Sequence, residues 1–154
     1  MLGIKKLFSS TNKSQSVSVS TNTNKNDTKE ITPYILIGGE KGVKALVTAF
    51  YDEMETNIHL TELLAVHQLP LDGVRQKFFE YLSGWMGGPP LFEQKYGHPR
   101  LRQRHLHVDV TRKQAELWML CMNNALDKSV ENEELKQGLL QSFSQLAKHM
   151  INQS

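Results

Sequence analysis

The sequence predicts an all-α domain, on three observations. Apolar residues recur at spacings of three and four over most of the chain beyond position 32. The apolar–polar alternation of a half-buried strand is nearly absent. The periodic stretches are separated by glycine and proline signals, Gly38-Gly39 and Gly87-Gly88-Pro89-Pro90. A chain of 154 residues is long enough to close one core. Its 39% hydrophobic and 22% charged residues are the balance of a globular domain, and no run of 18 apolar residues offers a membrane span.

Residues 1–31 read differently from the rest. MLGIKKLFSS is too short an apolar stretch for a signal peptide, although Leu2, Ile4, Leu7 and Phe8 could form one amphipathic turn. Residues 10–28, STNKSQSVSVSTNTNKNDT, are almost all Ser, Thr, Asn and Lys and cannot bury a core, so residues 1–31 are expected to be a disordered tail before a domain at 32–154. The net charge of +2 is also split. Residues 1–32 carry five lysines against two carboxylates, which leaves the remainder at a net −1 and makes general nucleic-acid binding a poor expectation. Residues 1–26 lack acidic side chains, as organelle-targeting segments do, but they also lack arginine. With one cysteine, Cys121, neither an intramolecular disulfide nor a cysteine metal cluster can form, and a reducing cytoplasm is the expected compartment.

Within the domain, Thr32 and Pro33 have the residue types of an N-cap and first helical position, and Gly38-Gly39 stops that short helix. Val43, Leu46, Val47, Phe50 and Met54 place an amphipathic helix over 40–56, with Tyr51 at the edge of its buried face. A short helix through Leu60, Leu63 and Leu64 should end near His67, before Pro70. Val74, Phe78, Tyr81, Leu82 and Trp85 make the next, ended by Gly87-Gly88-Pro89-Pro90. Thr111 can cap a helix through Ala115, Trp118, Cys121, Met122 and Ala125, and Leu135, Leu139, Phe143, Leu146 and Met150 form the last.

Between these lies KYGHPRLRQRHLHVDV, residues 95–110, with three histidines and three arginines inside ten positions. Pro99 is placed to open a helix, which puts Leu101 and His105 one turn apart on one face. Several chemistries compete for this segment. An imidazolium near a helix C-terminus is mildly stabilising without further function. Zinc would use His98, His105 and His107, at a spacing that matches no known zinc pattern and lacks a fourth ligand. Nucleic acid would use Arg100, Arg102, Arg104, Arg112 and Lys113, but no aromatic residues are interleaved as stacking platforms. The wider constellation adds a fourth reading. Tyr51, Trp118, His67 and His105 fall on or beside buried helix faces, and buried polar tips need partners. An apolar slot with a histidine for iron and guanidinium groups for propionates suits a haem.

The motifs Gly38-Gly39, Phe50-Tyr51, Gly87-Gly88-Pro89, GHPRLRxRH at 97–105 and Trp118 followed by Cys121-Met122 resemble those of the group II truncated haemoglobins, over roughly residues 33–152. The resemblance implies a two-over-two helical globin fold and haem b, iron protoporphyrin IX. It implies that His105 is the proximal ligand to iron and that Tyr51 and Trp118 are hydrogen-bond donors on the far side of the haem. Arg104 is then the first candidate for a propionate contact and Arg102 the second. A further distal position falls on His67, although an ungapped count from Gly87 lands on Val66. Val74 and Phe78 fall where the distal helix faces the ligand, so no distal-helix histidine gates entry. Many relatives have Pro-Phe where this chain has His107-Val108, which removes an aromatic contact and leaves Val108 on the proximal side.

The functions implied are binding of O2 and other diatomic ligands, NO dioxygenation and peroxide handling, redox chemistry rather than bulk transport. No GxGxxG follows a strand, so an electron donor must be a separate reductase. His67 or Tyr51 could also serve ferric iron as an internal sixth ligand. The alternative function is a haem-free helical module that docks an acidic partner through the face from Arg100 to Lys113.

Overall fold

Thr32 is extended, and its hydroxyl accepts a hydrogen bond from the Ile35 amide, so Pro33 opens α1 (Pro33–Ile37) as the sequence predicts. The structure, a computed structural model, describes residues 29–154. The apolar turn and the Ser/Thr/Asn/Lys-rich run expected over residues 1–28 lie outside the described residues. Gly38 ends α1 in the left-handed conformation at φ 105°, and the chain turns directly into α2 (Gly39–Thr56). The Asn57 side chain accepts from the His59 amide and starts a 3-10 turn (Ile58–Leu60) that runs into α3 (Thr61–Ala65). Next come α4 (Asp72–Trp85), α5 (Leu91–Tyr96) and α6 (Leu101–Arg104). Then α7 (Arg112–Ser129) follows, capped by the Thr111 hydroxyl, and α8 (Glu133–Met150), capped by the Asn132 side chain.

The apolar stripes decide the packing. α2 lies against both α4 and α7, and α7 against α8, so a layer of α2 and α4 rests on a layer of α7 and α8. Phe50, Met54, Leu82, Met122, Leu126, Leu139 and Phe143 fill the joint and are essentially inaccessible to solvent. Each such side chain contributes about 1.5–3 kcal/mol through burial, so this joint dominates the stability. Cys121 lies inside it, with its thiol donating to the Phe50 carbonyl, and burial pushes that thiol up to about 12; it is an inert core residue, as its helix face predicts.

Two features depart from the sequence reading. α5 is not predicted: six residues are too few for a periodic pattern, and the helix is held instead by Phe92, which packs edge-on against Tyr81 of α4. Nor does Pro99 open α6. Arg100 takes the left-handed conformation (φ 40°, ψ 51°), which interrupts the helical run, so α6 begins at Leu101. The His98 ring turns the chain there by accepting the Arg100 amide at 3.2 Å. Among the described residues, no helix is long and apolar enough to cross a membrane.

Candidate functional site

α2 carries Phe50 and Tyr51 into the joint. Tyr51 is 3% exposed, deeper than an edge position. Phe78 of α4 packs edge-on against Tyr51, with centroids 6.0 Å apart, and lies 5.3 Å from Phe50. Trp118 of α7 lies 5.4 Å from Phe50 and 6.4 Å from Phe78. His67, just beyond α3, closes the group with its ring T-shaped to Tyr51 at 6.4 Å. Tyr51, Trp118 and His67 therefore meet around Phe50 and Phe78, and the residue beside Tyr51 is His67, since Val66 is exposed. Val74 is half-buried against the same core, one turn before Phe78.

Burial pushes the Tyr51 phenol well above its ordinary value of 10; the neighbouring Cys121 adds to this, and the Arg75 guanidinium, 5.5 Å from the ring, opposes it. Tyr51 thus keeps its proton at Oη and remains a donor. His67 Nδ1 lies 2.8 Å from the Leu63 carbonyl oxygen. A carbonyl only accepts, so Nδ1 carries the hydrogen, and in the neutral ring Nε2 is then the nitrogen with the lone pair.

The same logic holds for His105. It follows α6 and is exposed, with Nδ1 2.7 Å from the carbonyl oxygen of Leu101, its predicted one-turn neighbour. In the neutral ring Nε2 is again the nitrogen left with the lone pair. The Arg104 guanidinium donates to the Tyr96 carbonyl at 3.3 Å and the His98 carbonyl at 3.5 Å, and lies 5.1 Å from the Phe92 ring. The Val108 amide donates to the His105 carbonyl at 3.0 Å.

α4, α5, α6 and α8 line a cavity of about 500 Å³ that opens to solvent, within the usual range of cofactor sites. Tyr81, Trp85, Phe92, Leu101 and Leu146 give it apolar walls, and its charged lining is Arg100 and Arg102 with Glu80 and Glu93. Burial pushes the Tyr81 phenol up to about 12. Of the predicted site residues only Arg102 lines this cavity. A packed aromatic chain stands between the two regions: Trp85, on the cavity wall, stacks on the buried Phe143 at 4.5 Å, and Phe143 meets Trp118 at 5.7 Å. Tyr81 and Trp85 are the residues that sequence reasoning leaves out of the site, although they extend the Val74 and Phe78 stripe at spacings of three and four. Arg100 enters the sequence reading only through its basic face and motif, and Leu146 has no site signal, because only the meeting of α8 with α6 brings it there. A zinc site at His98, His105 and His107 does not assemble, since no group of three potential metal ligands converges among the described residues.

Comparison with known proteins gives the family. A profile described as Bacterial-like globin matches residues 32–152. The group 2 truncated hemoglobin YjbI of Bacillus subtilis is 33% identical over 122 residues, which cover 79% of this chain and 89% of that one. Among solved structures, a cold-adapted truncated hemoglobin from the Antarctic marine bacterium Pseudoalteromonas haloplanktis superposes with a TM-score of 0.79 at 52% identity, covering 80% of this chain and 100% of the other. The group II 2-on-2 hemoglobin of Agrobacterium tumefaciens does so with a TM-score of 0.79 at 37% identity, covering 82% and 98%. The chain belongs to the bacterial-like globins and, within them, to the group II truncated haemoglobins of two-over-two fold. As a globin it is a haem protein that binds small gaseous ligands. The residue types fit that group: an aromatic and aliphatic slot with Arg100 and Arg102 on its lining, and an exposed histidine, His105, on the segment that follows α6.

Proposed function

We propose that the cofactor is haem b, with His105 as the proximal iron ligand and Tyr51, Trp118 and His67 facing the gaseous ligand. The supporting observation is the 2.7 Å contact of His105 Nδ1 with the Leu101 carbonyl, which engages that nitrogen and, in the neutral ring, leaves Nε2 as the one to offer a metal. The sole cysteine is buried, so no CxxCH attachment is available and the haem is held without covalent linkage. Val74 and Phe78 wall the distal side and Val108 the proximal side, while Arg102 and Arg104 supply cations for the propionates.

Haem, when bound, supplies an iron centre that holds a diatomic ligand and exchanges one electron. Tyr51 holds its proton at Oη and donates it as a hydrogen bond, and Trp118 can donate through its indole N–H. Fixed donors in a water-poor pocket hold a ligand that carries partial negative charge and slow its release. Slow release suits O2, NO or peroxide redox chemistry better than bulk transport. The chain has no dinucleotide-binding fingerprint, so a separate cytoplasmic reductase returns the electron. Haemin titration of the full chain beside His105→Ala tests this reading. A Soret band that saturates at one haem per chain and is lost or weakened in the variant is expected. No stoichiometric binding would end the proposal.

A second reading has His67 or Tyr51 as an internal sixth ligand to ferric iron. It is supported by the free lone pair at His67 Nε2, beside Tyr51. A low-spin ferric spectrum at neutral pH, abolished in His67→Ala or Tyr51→Phe, is the expected result, and a wholly high-spin spectrum contradicts it. The haem-free alternative has less support. Lys113 of its basic face pairs with Glu62 at 2.7 Å.

A further inference from the structure

α6 has only four residues, and no side chain from Gly97 to Thr111 is buried. One helical turn is not stable alone in water, so neither local propensity nor a hydrophobic face fixes the place of His105. Its position must come from elsewhere in the chain. Arg104 braces the segment on one side, through the Tyr96 and His98 carbonyls.

On the other side stands Asn152, in the segment after α8. Its Nδ2 donates to the His105 carbonyl at 3.2 Å, 47 positions back along the chain, and to the Val108 carbonyl at 2.9 Å. Its Oδ1 accepts the Val110 amide at 2.9 Å, and its own amide donates to the Val110 carbonyl at 3.0 Å. The Gln153 side chain adds one contact, to Asp109 at 3.1 Å. One carboxamide thus joins three main-chain groups spread over the connector that leaves His105. Two donors and one acceptor are required, which is the inventory of an asparagine amide.

We propose that Asn152 is a positioning residue for the proximal histidine. It latches the backbone of residues 105–110 to the end of α8 and sets the depth and angle at which His105 Nε2 meets the iron. The inference rests on the reading of His105 as the iron ligand. Asn152→Asp keeps the acceptor for Val110 but replaces both donors with an oxygen facing two carbonyls. Asn152→Leu removes all three side-chain bonds, and Asn152→Gln keeps the chemistry on a longer arm.

The test uses the haem-loaded full chain and two readouts besides activity: the iron–histidine stretching band of the ferrous protein, and the rate of haem transfer to an acceptor globin. Partners of metal ligands typically alter metal affinity 10–100-fold when removed, so Asn152→Asp and Asn152→Leu should shift or broaden the band and speed haem loss at least about tenfold. Asn152→Gln should recover part of both. Gln153→Ala, which loses only the contact with Asp109, should leave the band in place. Should Asn152→Leu fail to fold, Asn152→Asp carries the test. An unmoved band with haem loss within about twofold of the parent overturns the latch, because a partner that orients a metal ligand acts on a larger scale. His105→Ala separates the two ideas. If the parent band survives it, the ligand assignment is wrong; if it removes the band while the Asn152 variants do not alter it, the latch alone is wrong.

Discussion

Tyr51 and Glu53 stand two residues apart on α2, and both are buried, yet their surroundings drive them in opposite directions. The Tyr51 phenol has mainly apolar neighbours, and burial raises it. Glu53 accepts hydrogen bonds from Lys128, Asn57 and Asn124, which outweigh its burial and hold the carboxyl near 2. Because its folded value lies below the ordinary 4.5, the ionised carboxylate stabilises the fold above about pH 4.5, and that contribution is lost as pH falls toward 2. Glu53→Gln should therefore cost about 2 kcal/mol at pH 7 in urea unfolding, with the gap to the parent closing below about pH 3. Tyr51→Phe should leave stability almost unchanged. It removes one donor from the proposed ligand pocket, worth about 1–1.5 kcal/mol, so O2 dissociation followed by rapid mixing should quicken roughly tenfold.

At the scale of elements, legibility follows length and capping. α2, α4, α7 and α8 repeat their apolar residues over several turns, and the hydroxyls of Thr32 and Thr111 mark the starts of α1 and α7. α5 escapes because its order comes from tertiary contacts with α4, the buried Phe92 against Tyr81 and Lys95 paired with Glu80. The start of α6 escapes because an arginine in the left-handed region has no sequence signal. The site divides the same way. The one-turn pairing of Leu101 with His105 is local and readable, whereas Asn152 and Leu146 reach their places only through tertiary contacts. Gly87-Gly88 is readable as a break, but not its close approach to α1: a Cβ on Gly88 would lie 2.4 Å from the Tyr34 ring. Gly88→Ala should force that ring aside and destabilise the fold by about 1–3 kcal/mol, seen as a lower melting temperature by circular dichroism. Thr111→Ala should cost about 1 kcal/mol by the same measurement, through loss of the cap on α7.

For the whole molecule, the two layers share one core, and the cavity lies at its edge against α5 and α6. A ligand that binds only the folded state stabilises it, by about 2.7 kcal/mol at a hundred times its dissociation constant. Haemin in that excess should raise the melting temperature by roughly 10 °C, and His105→Ala should forfeit most of the rise. The ribbon from Gly97 to Thr111, which buries no side chain, gives the molecule two lifetimes. In the haem-free chain its amides should exchange with deuterium well before those of α2 and α7 around Phe50 and Met122, which wait for global unfolding. On the reading of His105 as the iron ligand, opening the ribbon alone should release the cofactor with the layered core left intact. The fraction of molecules carrying haem would then follow the supply of haem, not the slow renewal of folded protein.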